Sequence, residues 1–189
     1  MEQRITMIFE PKEINLKDGR TVIFKTPELS DASKLLDFIK TASGETHFLL
    51  RYPEEWDSMT IEQEENWIQS SRNAPNNLLI SCYINGKIVG NCALTFLSGL
   101  KMGHRATVAI AVCQEYWGLG IGSGMFLEMI AASQKHGTEI LELEFIEGND
   151  RGRALYEKFG FRIVGERPNA YKLKDGSLRS ELLMQKKLR

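Results

Sequence analysis

Apolar positions along this chain switch between a helical and a strand spacing, and the switches mark its elements. "SDASKLLDFIKTA" (30–42) places Ala32, Leu35, Leu36 and Ile39 at helical intervals, with Ser30 as N-cap and Gly44 at the C-terminal end. "TIEQEENWIQSSR" (60–72) opens on Thr60 with Gln63 three residues on, a capping-box signature that predicts a second helix. A long irregular segment, "ETHFLLRYPEEWDSM" (45–59), lies between them. "NLLISCYINGKIVGNCALTFL" (77–97) reads as two strands joined at Asn85-Gly86, a strong hairpin signal. "RATVAIAV" (105–112) is apolar enough to lie at the centre of a sheet.

A third helix is expected to run from the glycine-rich stretch 118–124 to about Lys135. It is followed by a strand over "TEILELEFI" (138–146), a helix over "RGRALYEKFG" (151–160) closed by Gly160, and a strand over "FRIVGERP" (161–168). Asp18-Gly19 turns into a first strand, "RTVIFKT" (20–26), and Asp175-Gly176 into a last one, "LRSELLMQKKL" (178–188). The order is strand, two helices, three strands, helix, strand, helix, two strands. It predicts one α/β domain over 20–189 behind an N-terminal extension of 1–19. Its mixed sheet has six to seven strands flanked on both faces by about four helices.

Composition narrows the class. At 189 residues, 42% hydrophobic and 26% charged, the chain can bury one solid core. Lys+Arg is 24 against Asp+Glu 25, so no nucleic-acid partner is expected, which would call for a strongly basic face. No apolar run approaches membrane-spanning length, and "MEQRITMIFEPKE" carries no signal-peptide core, so the expectation is a cytoplasmic protein without a membrane partner. Cys82, Cys92 and Cys113 sit in apolar strand text without metal-ligand spacing. They read as buried reduced thiols, and no metal is expected.

The chemistry concentrates in "EYWGLGIGSG" (115–124), where Gly118, Gly120, Gly122 and Gly124 fall at every second position between a strand and a helix. The first N–H groups of a helix have no intrahelical acceptors, and its dipole is positive there. Glycines let a phosphate approach that backbone, so Gly118, Leu119, Gly120, Ile121, Gly122 and Ser123 form a candidate pyrophosphate cradle. A P-loop is excluded because Gly122-Ser123-Gly124 has no lysine. A dinucleotide fingerprint nearly fits, with Gly118, Gly120, and Ser123 where Gly or Ala is expected, and Glu139 or Glu142 at the acidic position. Too few residues follow to build the second half of such a fold.

"AVCQEYWGLGIGSGMF" resembles the acetyl-CoA motif of the GNAT N-acetyltransferases, Arg/Gln-x-x-Gly-x-Gly/Ala, met by Gly120 and Gly122 with Trp117 in the Arg/Gln place. "NDRGRALYEKFGF" (149–161) is similar to that family's second signature, with Gly152 at its usual alanine position. The resemblance covers roughly residues 20 to 188. It implies an acyl-CoA N-acyltransferase fold, acetyl-CoA as co-substrate and a primary amine as acceptor. It implies that the strand edge Ile110, Ala111 and Val112 pairs with the pantetheine amides and that an N–H near Val112 polarises the thioester. It also implies that Asn149 contacts the pantetheine arm, a helix N-cap being the structural alternative.

Two residues are candidates for proton transfer. Tyr156 lies two helical turns from Asn149 and can protonate a departing thiolate. Glu142 and Glu144 alternate with Leu141, Leu143 and Phe145 and so share one strand face. A glutamate at the spacing of Glu144 serves as general base in the ribosomal-protein alanine acetyltransferase branch that the chain resembles here; a water-mediated route remains open. His104, ahead of the central strand, is a further candidate near the acceptor. His47, Arg51, Tyr52 and Trp56 lie on the segment that borders the acceptor in this family; "EEW", "EQEE" and Asp57 make that region acidic, which would favour a cationic amine, a charged exposed helix being the structural alternative. His136 reads as structural at a helix C-terminus.

The expected function is acetyl transfer from acetyl-CoA to a primary amine of a small molecule or protein N-terminus by direct attack in a ternary complex. One alternative is a non-catalytic acyl-CoA-binding sensor, which needs neither Tyr156 nor Glu144. Another is a nucleotide-dependent enzyme that binds NAD or ATP. A homodimer through an exposed C-terminal strand is a further expectation.

Overall fold

The computed structural model describes residues 7–188. Its eight strands form one mixed sheet in the order β1-β2-β3-β4-β5-β6-β8-β7. They are β1 (Lys12–Asn15), β2 (Thr21–Lys25), β3 (Asn77–Ile84), β4 (Lys87–Phe96), β5 (Arg105–Val112), β6 (Ile140–Ile146), β7 (Arg162–Lys172) and β8 (Leu178–Lys187). The helices are α1 (Ala32–Glu45), α2 (Ile61–Asn73), α3 (Ile121–His136) and α4 (Asp150–Lys158). The strand count exceeds the expected six to seven because Lys12–Asn15, within the stretch read as an N-terminal extension, pairs antiparallel with β2. Residues 1–6 of that stretch, and Arg189, lie outside the described residues.

The sheet separates two cores. Alternate residues of β3, β4 and β5 join Phe126, Met129, Tyr156 and Phe161 beneath α3 and α4. The opposite parity, including Tyr83, Ile88 and Cys113, packs with Leu35, Phe38, Ala42 and Ile68 of α1 and α2. Asn85 and Gly86, at φ 49 and φ 79, make the tight hairpin that their residue types predict. Thr60 and Gln63 form their reciprocal capping box. At α1 the cap moves. Leu29–Asp31 forms a short 3-10 turn, Asp31 rather than Ser30 precedes the helix, and Gly44 lies inside it.

Asp31 is 3% exposed and accepts from the Lys34 ammonium and the Tyr83 hydroxyl, both at 2.8 Å. Burial pushes its carboxyl up, but the Lys34 ammonium, the Glu28 N–H and the Tyr83 hydroxyl outweigh this and hold it below the ordinary carboxylate range. The ionised form is therefore favoured by folding. Its stabilisation is present above about pH 4 and is lost as pH falls through the lowered folded value. Asp31→Ala is expected to cost about 3 kcal/mol at pH 7 in urea unfolding, with the deficit shrinking below about pH 4.

The last strand does not lie at an edge. β8 is paired on both sides, by β6 and β7, so the C-terminal strand cannot offer the dimer edge expected of it. No helix among the described residues is long and apolar enough to cross a membrane.

Candidate active site

The site begins where two parallel strands part. β5 and β6 pair only from Arg105–Thr107 to Ile140–Glu142, and beyond that point they diverge. Val108 to Val112 and Leu143 to Ile146 line the resulting cavity of about 1120 Å³. On its other side β5 is paired with β4, and the Cys113 N–H donates to the Val89 carbonyl at 3.0 Å. Alternate residues of an antiparallel ladder turn their polar groups the opposite way. Ile110 and Val112 therefore direct N–H and C=O away from β4, into the wedge. Ala111 turns its backbone to β4 instead, with Asn91 as its partner.

The glycine loop closes one end of the wedge. Gly118 and Gly120 sit at φ 80 and φ 101, in the left-handed region that side chains disfavour. The other two glycines serve packing. A Cβ at Gly122 would lie 3.0 Å from the Leu155 side chain, and one at Gly124 would lie 3.2 Å from the Phe24 ring. α3 starts at Ile121 with no side-chain cap. The N–H groups of Ile121, Gly122 and Ser123 are thus orphan donors at the positive end of a 16-residue helix. That arrangement fits a diphosphate.

Trp117 has a use that its place in the motif does not reveal. Its indole N–H donates to the Val112 carbonyl at 2.6 Å, and the Arg151 guanidinium lies over its ring at 4.5 Å. The residue ties the end of β5 to the start of α4 and uses one of the two outward polar groups of Val112. The N–H of Val112 and both groups of Ile110 remain for a ligand strand.

Asn149 is the N-cap of α4, its side-chain oxygen accepting the Gly152 N–H at 2.9 Å. A Cβ at residue 152 would come within 2.8 Å of that amide, which accounts for glycine at this position. Asn149 also lines the cavity, and its amide nitrogen has no hydrogen-bond partner among the described residues. Tyr156, on the same helix, lines the cavity and is 7% exposed. Phe126 and Phe145 hold its ring edge-on, with centroids 5.7 and 5.6 Å away. Burial pushes the phenol up to about 12. Its hydroxyl has no protein partner among the described residues.

Glu142 and Glu144 both line the cavity, while Leu143 and Phe145 between them are also buried in the core beneath α3 and α4. The environments of the two glutamates differ. Glu142 accepts from Arg105 Nη2 and Gln185 Nε2, both at 2.5 Å. Glu144 has no hydrogen bond or ion pair among the described residues and is exposed to the cavity.

The acceptor side departs from the expectation. Thr46, Phe48, Leu49 and Leu50 line the cavity, whereas His47, Arg51, Tyr52 and Trp56 do not. Arg51 stacks on Trp56, and the Trp56 indole N–H donates to Ser43. Of the acidic residues of this segment, Glu45 lines the cavity and accepts the Gln114 N–H at 2.7 Å, while Glu54 pairs with Lys174, Glu55 accepts the Tyr52 N–H, and Asp57 pairs with Lys40. Apart from Glu45 the lining part of the segment is largely apolar, and further carboxylates come from β6, the start of α4 and β8, where Glu181 is bound by Arg167 and Tyr171. His104 does not line the cavity; its carbonyl accepts the Glu139 and Ile140 N–H groups. His136 stacks on Phe96 at 3.8 Å, a structural contact.

All three cysteines are free and buried. Burial pushes the Cys82 thiol up to about 12 and Cys113 up to about 11, and raises Cys92 further, which leaves them poor nucleophiles.

Comparison with known proteins agrees with this geometry. The profile of the acetyltransferase (GNAT) family matches residues 42–161. The ribosomal protein bS18-alanine N-acetyltransferase of Haemophilus influenzae is 30% identical over 126 residues, 66% of this chain and 86% of that protein. A GNAT-family acetyltransferase from Streptococcus pneumoniae superposes with a TM-score of 0.80 at 26% identity, over 88% of this chain and 99% of that one. A Salmonella typhimurium structure that holds acetyl-CoA as its cofactor shares the fold, with a TM-score of 0.74 at 14% identity over 89% and 94% of the two chains. With its glycine loop, parted strands and second signature all inside or beside the matched segment, the chain belongs to the GNAT family of acetyltransferases.

Proposed function

We propose that this protein transfers an acetyl group from acetyl-CoA to a primary amine, on a small molecule or a protein N-terminus, by direct attack in a ternary complex. The observation that carries the reading is the wedge itself. One cavity joins an uncapped helix terminus, an unpaired strand edge, a buried phenol and an unpaired carboxylate. Bound acetyl-CoA supplies the activated acyl group as a thioester. The orphan N–H groups of Ile121 to Ser123, with the backbone of Gly118 to Gly120, would hold its diphosphate. The outward groups of Ile110 and Val112 would pair with the pantetheine amides, and the Val112 N–H would polarise the thioester carbonyl. Asn149 would meet the same arm through its amide nitrogen.

Glu144 takes the first proton that an ammonium acceptor sheds and passes it to solvent; the second leaves the nitrogen to solvent as the tetrahedral adduct collapses, so one proton is released overall. Tyr156 gives its proton to the departing sulfur and regains one from solvent. The products are an amide and a free thiol, with no net consumption of protons by the side chains. Phe48 and Leu49 present half-buried apolar surface on the acceptor side.

The test is thiol release from acetyl-CoA across a panel of primary amines that includes peptides with free N-termini. Amine-dependent release is expected. Saturable binding of acetyl-CoA without release for any amine would replace the enzyme by a sensor.

A further inference from the structure

Three cations stand around the glycine loop, and acetyl transfer itself has no use for them. Lys17 lies in the turn between β1 and β2. Its backbone N–H donates to the Leu119 carbonyl at 3.2 Å, which fixes the hairpin to the loop. Its stem lies 3.9 Å from the point where a side chain at Gly120 would begin. Arg151, in the first turn of α4, lies over Trp117. Lys158, at the end of α4, donates to the Ser123 hydroxyl at 3.0 Å. All three line the cavity, and none is ion-paired with a carboxylate among the described residues. Neighbouring bases are paired: Lys12 with Glu128 and Arg153 with Glu157.

The charge exceeds what a diphosphate asks of this end of the cavity. The orphan N–H groups and the dipole of α3 already address it. Coenzyme A carries one more phosphate, a monoester on the ribose, whose charge is about −1.5 to −2 at neutral pH. On the reading of the site given above, we infer that Lys17, together with Arg151, receives this ribose 3′-phosphate. The N-terminal hairpin is then a donor-selecting element. It favours the free 3′-phosphorylated nucleotide thioester over donors that lack that group. Lys17 falls outside residues 42–161, so the contact is an addition to the segment that matches the family.

The experiment is calorimetric titration of the full chain with acetyl-CoA and with acetyl-dephospho-CoA at one fixed, low ionic strength. Exposed charge pairs contribute up to about 1 kcal/mol each, so two of them correspond to a preference for acetyl-CoA of up to about 30-fold in Kd. Lys17→Ala is expected to reduce that ratio by about fivefold, and Lys17→Arg to keep it. Equal Kd values for the two donors in the native chain would overturn the inference while leaving the function intact. So would a Lys17→Ala variant that weakens both donors alike. Failure to bind either donor would overturn the reading of the site, and the inference with it.

Discussion

Replacing Tyr156 by Phe lowers kcat by about 100-fold, and the KM for acetyl-CoA changes by less than about threefold. The substitution removes one oxygen and nothing else. The ring stays between Phe126 and Phe145, which already pack it edge-on. The lost hydroxyl had no protein partner among the described residues, so unfolding stability stays within about 0.5 kcal/mol. A loss of rate without a loss of stability separates a proton donor from a core tyrosine. The sign of the pH dependence follows from burial, which pushes the phenol up to about 12. The donor form therefore persists through pH 10, and deprotonation of Tyr156 sets no falling limb in the wild-type rate below that pH. A variant with wild-type kcat and reduced stability would assign Tyr156 to the core alone.

Glu144→Gln is expected to lower kcat/KM about 100-fold at pH 7 with a peptide N-terminus as acceptor. An α-amine has an ordinary pKa near 7.7–8.0, so at pH 7 most of the acceptor is ammonium and needs a base. At about pH 9.5 solvent has already removed that proton, and the deficit of the variant narrows. Initial rates over this range read the effect directly. The neighbouring glutamate provides the contrast. Glu142 is held by Arg105 and Gln185, and the Arg105 Nε is already buried without a partner. Glu142→Gln removes charge from that network and shows itself first in stability. Equal effects of the two substitutions at all pH values would remove Glu144 from the role of base.

The local elements were legible because their signals are local. Thr60 and Gln63 satisfy each other across one helical turn, and Asn85-Gly86 can adopt the positive φ values that its hairpin needs. What escaped is what depends on distant partners. The four residues of β1 are too few to show a period, and their pairing is decided by β2. The insertion of β8 between β6 and β7 is a choice among distant strands that no spacing within β8 records. The four alternating glycines looked like one device for admitting phosphate. They divide into two that supply backbone conformation and two that let α3 approach Leu155 and Phe24. Trp117 stands where the motif has Arg or Gln, and its indole N–H donates to the Val112 carbonyl.

Within the site, the alternation of "LELEF" put Glu142 and Glu144 on one face. Which of them is spoken for depends on Arg105 and Gln185, one on β5 and one on β8. Lys17 gave no signal because it lies about 100 residues before the loop it adjoins, and only the hairpin brings the two together. The acidic text of 45–59 misled for a related reason. Asp57, Glu54 and Glu55 find partners in Lys40, Lys174 and the Tyr52 N–H, so that of its carboxylates Glu45 alone lines the cavity, beside Phe48, Leu49 and Leu50.

The claim that the wedge between β5 and β6 seats acetyl-CoA is tested most directly by calorimetric titration with that donor, with NAD and ATP as controls. Saturable binding of acetyl-CoA alone is the predicted result. Binding of NAD or ATP without acetyl-CoA, or no binding of any of the three by the folded protein, would contradict it.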